Sequence, residues 1–167
     1  MMKNKKVVHA LRAETVNMGG IPIKQALPTQ KVEHIDPFLL LHHGTFPIDK
    51  HQKAIHQGVG PHPHRGFSPV SFVLRGEVHH RDSLGNSSII SEGGIQWVNS
   101  GRGIIHSERP SVELASSGKP MEVIQLWINV PSSKKMEAAS YHAYQKNELP
   151  SLKLGEGAEA KIITGSL

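Results

Sequence analysis

The chain has no cysteine among its 167 residues. That excludes disulfides, zinc ribbons, iron–sulfur clusters and a thiol nucleophile. No apolar run approaches the roughly 20 residues of a membrane-spanning helix. Lys3, Lys5 and Lys6 stand near the start, but no apolar segment of signal-peptide length follows them, so a cytoplasmic protein is expected. Aromatic residues are scarce, at 5%, and the net charge of +5 is spread along the chain. Without a basic cluster and an aromatic platform the charge reads as a solvated surface, and no direct nucleic-acid binding is expected. Internal repeats and low-complexity stretches are absent. Helical periodicity is weak throughout, and helix content should be low. A chain of this length supports one domain and can bury a core without staples.

Histidine is what the chain has in abundance, with 12, beside 16 Gly and 11 Pro. Two short stretches concentrate metal-capable side chains at spacing i, i+2: His62 with His64, and His106 with Glu108. Residues two apart on a strand share a face, so each pair can act as a two-pronged claw. The residues between the claws read as strands and tight turns, which suits bringing the claws together around one ion. Pro61 and Pro63 flank His62 and stiffen the first claw in extended form. The adjacent pairs His42-His43 and His79-His80 would face opposite ways and make poorer claws. For His42 and His43 the preferred reading is a satisfied structural histidine, with one of them lining the cavity as the alternative.

Alternation and turn residues predict strands over 7–11, 38–44, 70–74, 77–82, 88–90, 95–98, 121–130 and 158–164. Turns are expected at Gly19-Gly20, 84–86 and 92–94. Pro22 argues against a central strand at 21–23. The pair Gly101 and Gly103 reads as a barrel corner beside the second claw, because no helix pattern follows to make a phosphate loop. Arg102 between them would reach an anionic ligand or, by preference, pair with a surface carboxylate. The last strand, 158–164, is apolar, and strand addition or a homodimer contact through it is expected.

Several of these motifs, in order, resemble one family. Asp36-Pro37-Phe38, Pro61-His62-Pro63-His64-Arg65-Gly66-Phe67, Val73-Leu74-Arg75-Gly76-Glu77, His80-Arg81-Asp82, Gln96-Trp97 and Gly101-Arg102-Gly103-Ile104-Ile105-His106-Ser107-Glu108 are similar to the N-terminal cupin domain of the pirins. The resemblance covers roughly residues 20 to 150. It implies an all-β cupin fold, a β-barrel or jelly roll with little helix, holding one divalent metal on His62, His64, His106 and Glu108. Iron stands foremost, with manganese, cobalt, nickel, copper and zinc as alternatives. It also implies a pirin-type N-terminal cupin over 1–150 and a tail over 151–167 similar to the start of the second pirin cupin, so that a short form is expected. One departure touches the site. The cupin Glu expected four residues after the second histidine is replaced by Ser68, followed by Pro69.

Three imidazoles and one carboxylate suit divalent transition metals. The resemblance implies a quercetin 2,3-dioxygenase type of oxidoreductase acting on a small aromatic, flavonol-like substrate, with Glu108 the catalytic carboxylate that takes the substrate proton. The alternative is a metal- and redox-dependent regulator that binds a protein partner without catalysis. A third reading, a barrel whose polar cluster holds no metal, is disfavoured by four spaced ligands. With ordinary histidines, metal should be lost below about pH 6.

Overall fold

Short runs of alternating apolar residues, each closed by Gly, Pro or Asn, fold as a succession of strands. The computed structural model describes residues 6–165; Lys3 and Lys5 of the basic segment lie outside the described residues. In chain order the strands are β1 (Glu14–Met18), β2 (Ile21–Leu27), β3 (Phe38–Phe46), β4 (Val59–His64), β5 (Phe67–Arg75), β6 (Glu77–Asp82), β7 (Ser87–Ser91), β8 (Ile95–Asn99) and β9 (Ile104–Arg109). A short helix, α1 (Val112–Ser117), precedes β10 (Met121–Asn129), β11 (Ser140–Tyr144), β12 (Ser151–Gly155) and β13 (Ala158–Lys161).

Seven strands form one sheet in the order β1-β2-β3-β10-β5-β8-β11, and four form a second in the order β4-β9-β6-β7. Side chains from both sheets meet in one core of Ile23, Phe46, Val73, Val78, Ile90, Met121 and Val123. This is the expected all-β jelly roll of the cupins, formed by two sheets that face each other without closing into a continuous ladder. The expected strand at 7–11 does not form. Val7 and Val8 are exposed, and the strand lies at β1 instead, where Gly19 and Gly20 adopt positive φ and Asn17 caps the turn by accepting from the Gly20 N–H at 2.7 Å. Pro22 does sit in a strand between two neighbours. It stays clear of the β3 ladder, which begins one residue later at Ile23↔Gly44, and faces only Asn17 of β1.

Helix α1 was not expected. Its signals are local: Ser111 caps it by accepting from the Leu114 N–H at 2.9 Å, and Gly118 ends it at φ 64°. It delivers Leu114 and Ala115 into the core. The 132–139 segment contributes only a single 3-10 turn at Ser132–Lys134. The strand expected near the end is β13, and it pairs with β12 as a separate hairpin. No helix among the described residues is long and apolar enough to cross a membrane.

Candidate metal centre

The two claws lie on neighbouring antiparallel strands. In the β4–β9 ladder His62 pairs with His106 and His64 with Ile104. β4 is the edge of its sheet, which is where Pro61 and Pro63 can sit without depriving a partner strand of donors. At the other end, Gly101 turns the chain at φ 46° against the Glu137 carbonyl, which a Cβ there would strike. The corner reading therefore stands, and the corner feeds directly into β9. Arg102 is exposed; its backbone N–H donates to Glu137 O at 2.9 Å, and no carboxylate pairs with its side chain among the described residues.

His62, His64 and His106 come together with one ligand nitrogen of each within 4.8 Å of the others. Their ring centroids are 4.5 to 4.9 Å apart. His62 Nδ1 donates to the Gly60 carbonyl at 2.8 Å, because a carbonyl only accepts, and this leaves His62 Nε2 as a lone pair. His64 Nε2 and His106 Nε2 are buried and have no hydrogen-bond partner. A buried polar atom without a partner costs about 1–3 kcal/mol. Two such atoms in one group of three imidazoles fit a divalent transition metal, which prefers neutral imidazole nitrogen.

Burial, with His106 and His62 close by, lowers the His64 pKa to about 4, against an opposing pull from Glu108. Burial, with His62 and His80 close by, lowers His106 to about 3, against the pull of Asp82. Both rings are thus neutral and ready to ligate in mildly acidic solution, and the proton competition expected near pH 6 moves to lower pH at these two positions.

The fourth expected ligand, Glu108, is not among the residues whose ligand atoms group within 4.8 Å. Glu108 is buried, and its carboxylate accepts from Ser71 Oγ at 2.9 Å and Gln125 Nε2 at 3.0 Å, and from Gln96 Nε2 in a short contact. The triad that the structure assembles consists of the three histidines, and Glu108 stands next to it in a cage of neutral donors. Ser68, where a cupin Glu is expected, is buried and donates to Asn99 Oδ1 at 3.1 Å.

Sequence reasoning missed the cage. Gln125 and Trp127 share a face of β10, and alternation alone signalled that, but nothing marked the face as polar and inward. Trp127 Nε1 donates to Gln125 Oε1 at 3.0 Å, which turns the Gln125 amide nitrogen toward Glu108. The adjacent histidines divide as expected: His79 lies on the outer face within 3.0 Å of Ser87 Oγ, whereas His80 is wholly buried beside His106. His42 bonds Gln25 at 2.8 Å and His43 bonds Glu122 at 2.8 Å, so both are satisfied, and His42 also lines the cavity beside the triad.

A cavity of about 520 Å³ opens beside the triad. His62 and His64 form part of its wall, and Met18, Leu40, Phe46, Phe67 and Trp127 supply apolar surface. Its size falls within the range of small-molecule sites, roughly 300–1,000 Å³.

The model of the family described as Pirin matches residues 20–128. A Pseudomonas aeruginosa protein named "Putative quercetin 2,3-dioxygenase PA2418" is 38% identical over 148 residues, which cover 87% of this chain and 51% of that protein. Pirin of Homo sapiens is 31% identical over 167 residues, covering 99% of this chain and 53% of that one. The crystal structure of a quercetin 2,3-dioxygenase from Acinetobacter baumannii matches with a TM-score of 0.79 at 34% identity, over 94% of this chain and 55% of the other. The chain spans about half the length of the curated relatives it matches.

Proposed function

The chain belongs to the pirin family, and on that premise we propose that it is a mononuclear metal-binding cupin with quercetin 2,3-dioxygenase-type activity. The observation that carries the proposal is the pair of buried, partnerless nitrogens, His64 Nε2 and His106 Nε2, grouped with His62 beside an apolar cavity whose wall includes His62 and His64. The relatives named for quercetin 2,3-dioxygenase supply the substrate class.

In this reading His62, His64 and His106 hold the ion, iron foremost, and Glu108 joins them as the fourth ligand. The bound ion supplies Lewis acidity and redox coupling between a flavonol-type oxyanion and dioxygen. The net reaction consumes one flavonol and one dioxygen and yields the ring-opened ester and carbon monoxide.

The chain's own residues do the rest. Phe67 and Trp127, with ring centroids 4.5 Å apart, form an aromatic wall against which a flat substrate ring packs. The apolar lining excludes water and strengthens each polar contact inside. Glu108 takes the substrate's hydroxyl proton at its carboxylate, while Ser71, Gln96 and Gln125 hold that carboxylate in place. The Ser68 side chain offers no second carboxylate here, so proton handling falls to Glu108.

The first test is elemental analysis of the purified protein, with dioxygen uptake followed on addition of quercetin. Stoichiometric redox-active metal with quercetin-dependent uptake supports the proposal. Bound metal without uptake replaces it with a metal-dependent regulatory binding protein. Absence of metal after reconstitution overturns the metal centre itself. The same proposal takes the C-terminal strand β13, Ala158–Lys161, as a homodimer contact; an unchanged mass by light scattering after removal of residues 156–167 would count against it.

A further inference from the structure

His80 and Asp82 bury their side chains completely and pair at 2.9 Å, yet neither faces the cavity nor belongs to the histidine triad. We infer that they are positioning residues that fix His106 in the tautomer protonated at Nδ1 and so present its Nε2 lone pair to the metal. The inference rests on the metal-centre reading above.

The Asp82 carboxylate only accepts, so the His80 nitrogen beside it, Nε2, carries a proton. In a neutral ring the other nitrogen, His80 Nδ1, is then an acceptor. His80 Nδ1 faces His106 Nδ1 at 3.3 Å, so His106 Nδ1 is the donor and its Nε2 is bare. The opposite arrangement would put a proton on His106 Nε2, which is buried and meets no acceptor. Metal-ligating histidines commonly use their second nitrogen in this way, and the outer partner sets ring orientation and basicity. Here an extra imidazole stands between carboxylate and ligand.

Both members of the relay are held. Asp82 Oδ1 accepts from the backbone N–H groups of Leu84 at 2.9 Å and Asn86 at 3.0 Å, and Oδ2 accepts from Asn86 Nδ2 at 2.8 Å. The 82–86 turn is therefore a clamp on the carboxylate. Tyr141 of β11 stacks on the His80 ring, centroids 3.8 Å apart and planes within 7°. The Tyr141 hydroxyl lies 2.5 Å from Ser88 Oγ and donates to Gln96 Oε1 at 3.5 Å. Gln96 in turn donates to Glu108. One stacked pair thus supports His106 through His80 and contacts the Glu108 cage through Tyr141.

The test uses Asp82→Asn in the full chain with two readouts. Asn can donate where Asp could only accept, which permits the relay to reverse. In the metal-free protein, ¹⁵N NMR of the histidine rings should report the Nδ1–H tautomer at His106 in the wild type and a gain of the Nε2–H form in the variant. Identical tautomers in the two proteins would overturn the inference. Cobalt(II) or zinc(II) affinity, measured by competition with a chelator, should fall about 10–100-fold in the variant; unchanged affinity also overturns it. If the wild type binds no metal, the metal-centre reading fails, and the tautomer comparison alone then decides the relay. Should Asp82→Asn lose cooperative melting, His80→Phe keeps an aromatic ring against Tyr141 while removing both nitrogens, with the same fall in affinity expected. His79→Ala, on the outer face, should leave both readouts at wild-type values.

Discussion

His62 stands opposite His106 across the β4–β9 ladder, with ring centroids 4.5 Å apart. One cross-strand pair therefore joins the two halves of the site, although 43 positions separate them in sequence. His106→Ala removes the half contributed by β9. Metal content after dialysis should fall at least about tenfold by elemental analysis, while the far-ultraviolet spectrum stays that of a β protein. His79→Ala should leave metal content unchanged. Equal metal content in the two variants would contradict the triad.

Glu108→Gln tests the cage. The carboxylate accepts from Ser71, Gln96 and Gln125. An amide at 108 turns one oxygen into a donor that faces other donors in a buried place. Loss of one such contact, with a donor left unsatisfied, costs about 1–3 kcal/mol. The melting temperature of the metal-free variant should therefore drop, and quercetin-dependent dioxygen uptake should be lost with it. An unchanged melting temperature would mean that the cage contributes no net stability.

Much of this site could be read from residue spacing, and some could not. The i, i+2 spacing on extended backbone sufficed to pair His62 with His64 and His106 with Glu108, because period two fixes which side chains share a face; that the two pairs meet rested on the strands and turns between them and on the family resemblance. The turns at Gly19, Gly85 and Gly93, all at positive φ, were legible because only a residue without a Cβ adopts that backbone cheaply. The cage was not legible. Ser71, Gln96 and Gln125 come from three strands, and which strands adjoin is a property of sheet order, not of local pattern. Helix α1 escaped because its six residues are too few for a 3.6-residue period to emerge; only the Ser111 and Gly118 caps announce it. The strand expected at 7–11 failed for the converse reason: β-branched residues favour a strand only where a neighbouring strand accepts them.

Gly101→Ala tests the corner that launches β9. Gly101 combines positive φ with a backbone contact at Glu137 that leaves no room for a Cβ, whereas Gly85 has φ 89° and nothing near. Gly85→Ala should cost roughly 1–2 kcal/mol from left-handed strain alone. Gly101→Ala should cost more than that and should also weaken metal binding, since displacement of the corner moves His106. Chemical denaturation of both variants, with metal affinity of each, separates the two effects. Equal destabilisation with wild-type affinity would show that the corner does not position β9.

The lowered pKa values of His64 and His106 make a signed prediction for the metal-free protein. In the unfolded chain both titrate near 6.5; in the folded one they titrate at about 4 and about 3. Between those limits the unfolded state binds more protons, so stability must fall as pH falls. The loss begins near pH 6.5 and continues through about pH 4, at about 1.4 kcal/mol per pH unit for each group once its unfolded form is protonated. Asp82 adds a separate loss lower down: its pKa is depressed below 3.8, against the opposing effect of burial, by bonds from His80, Asn86 and Leu84, and that stability is lost only as pH falls below the ordinary Asp range. Urea denaturation at pH 7.5, 6.5, 5.5 and 4.5 should therefore show a flat upper step and a steep lower one. Saturating metal should shift the fall to lower pH, because ligation adds stability to the neutral, folded form. Equal stability at pH 6.5 and 4.5 in the metal-free protein would mean that the two buried rings take up protons without unfolding.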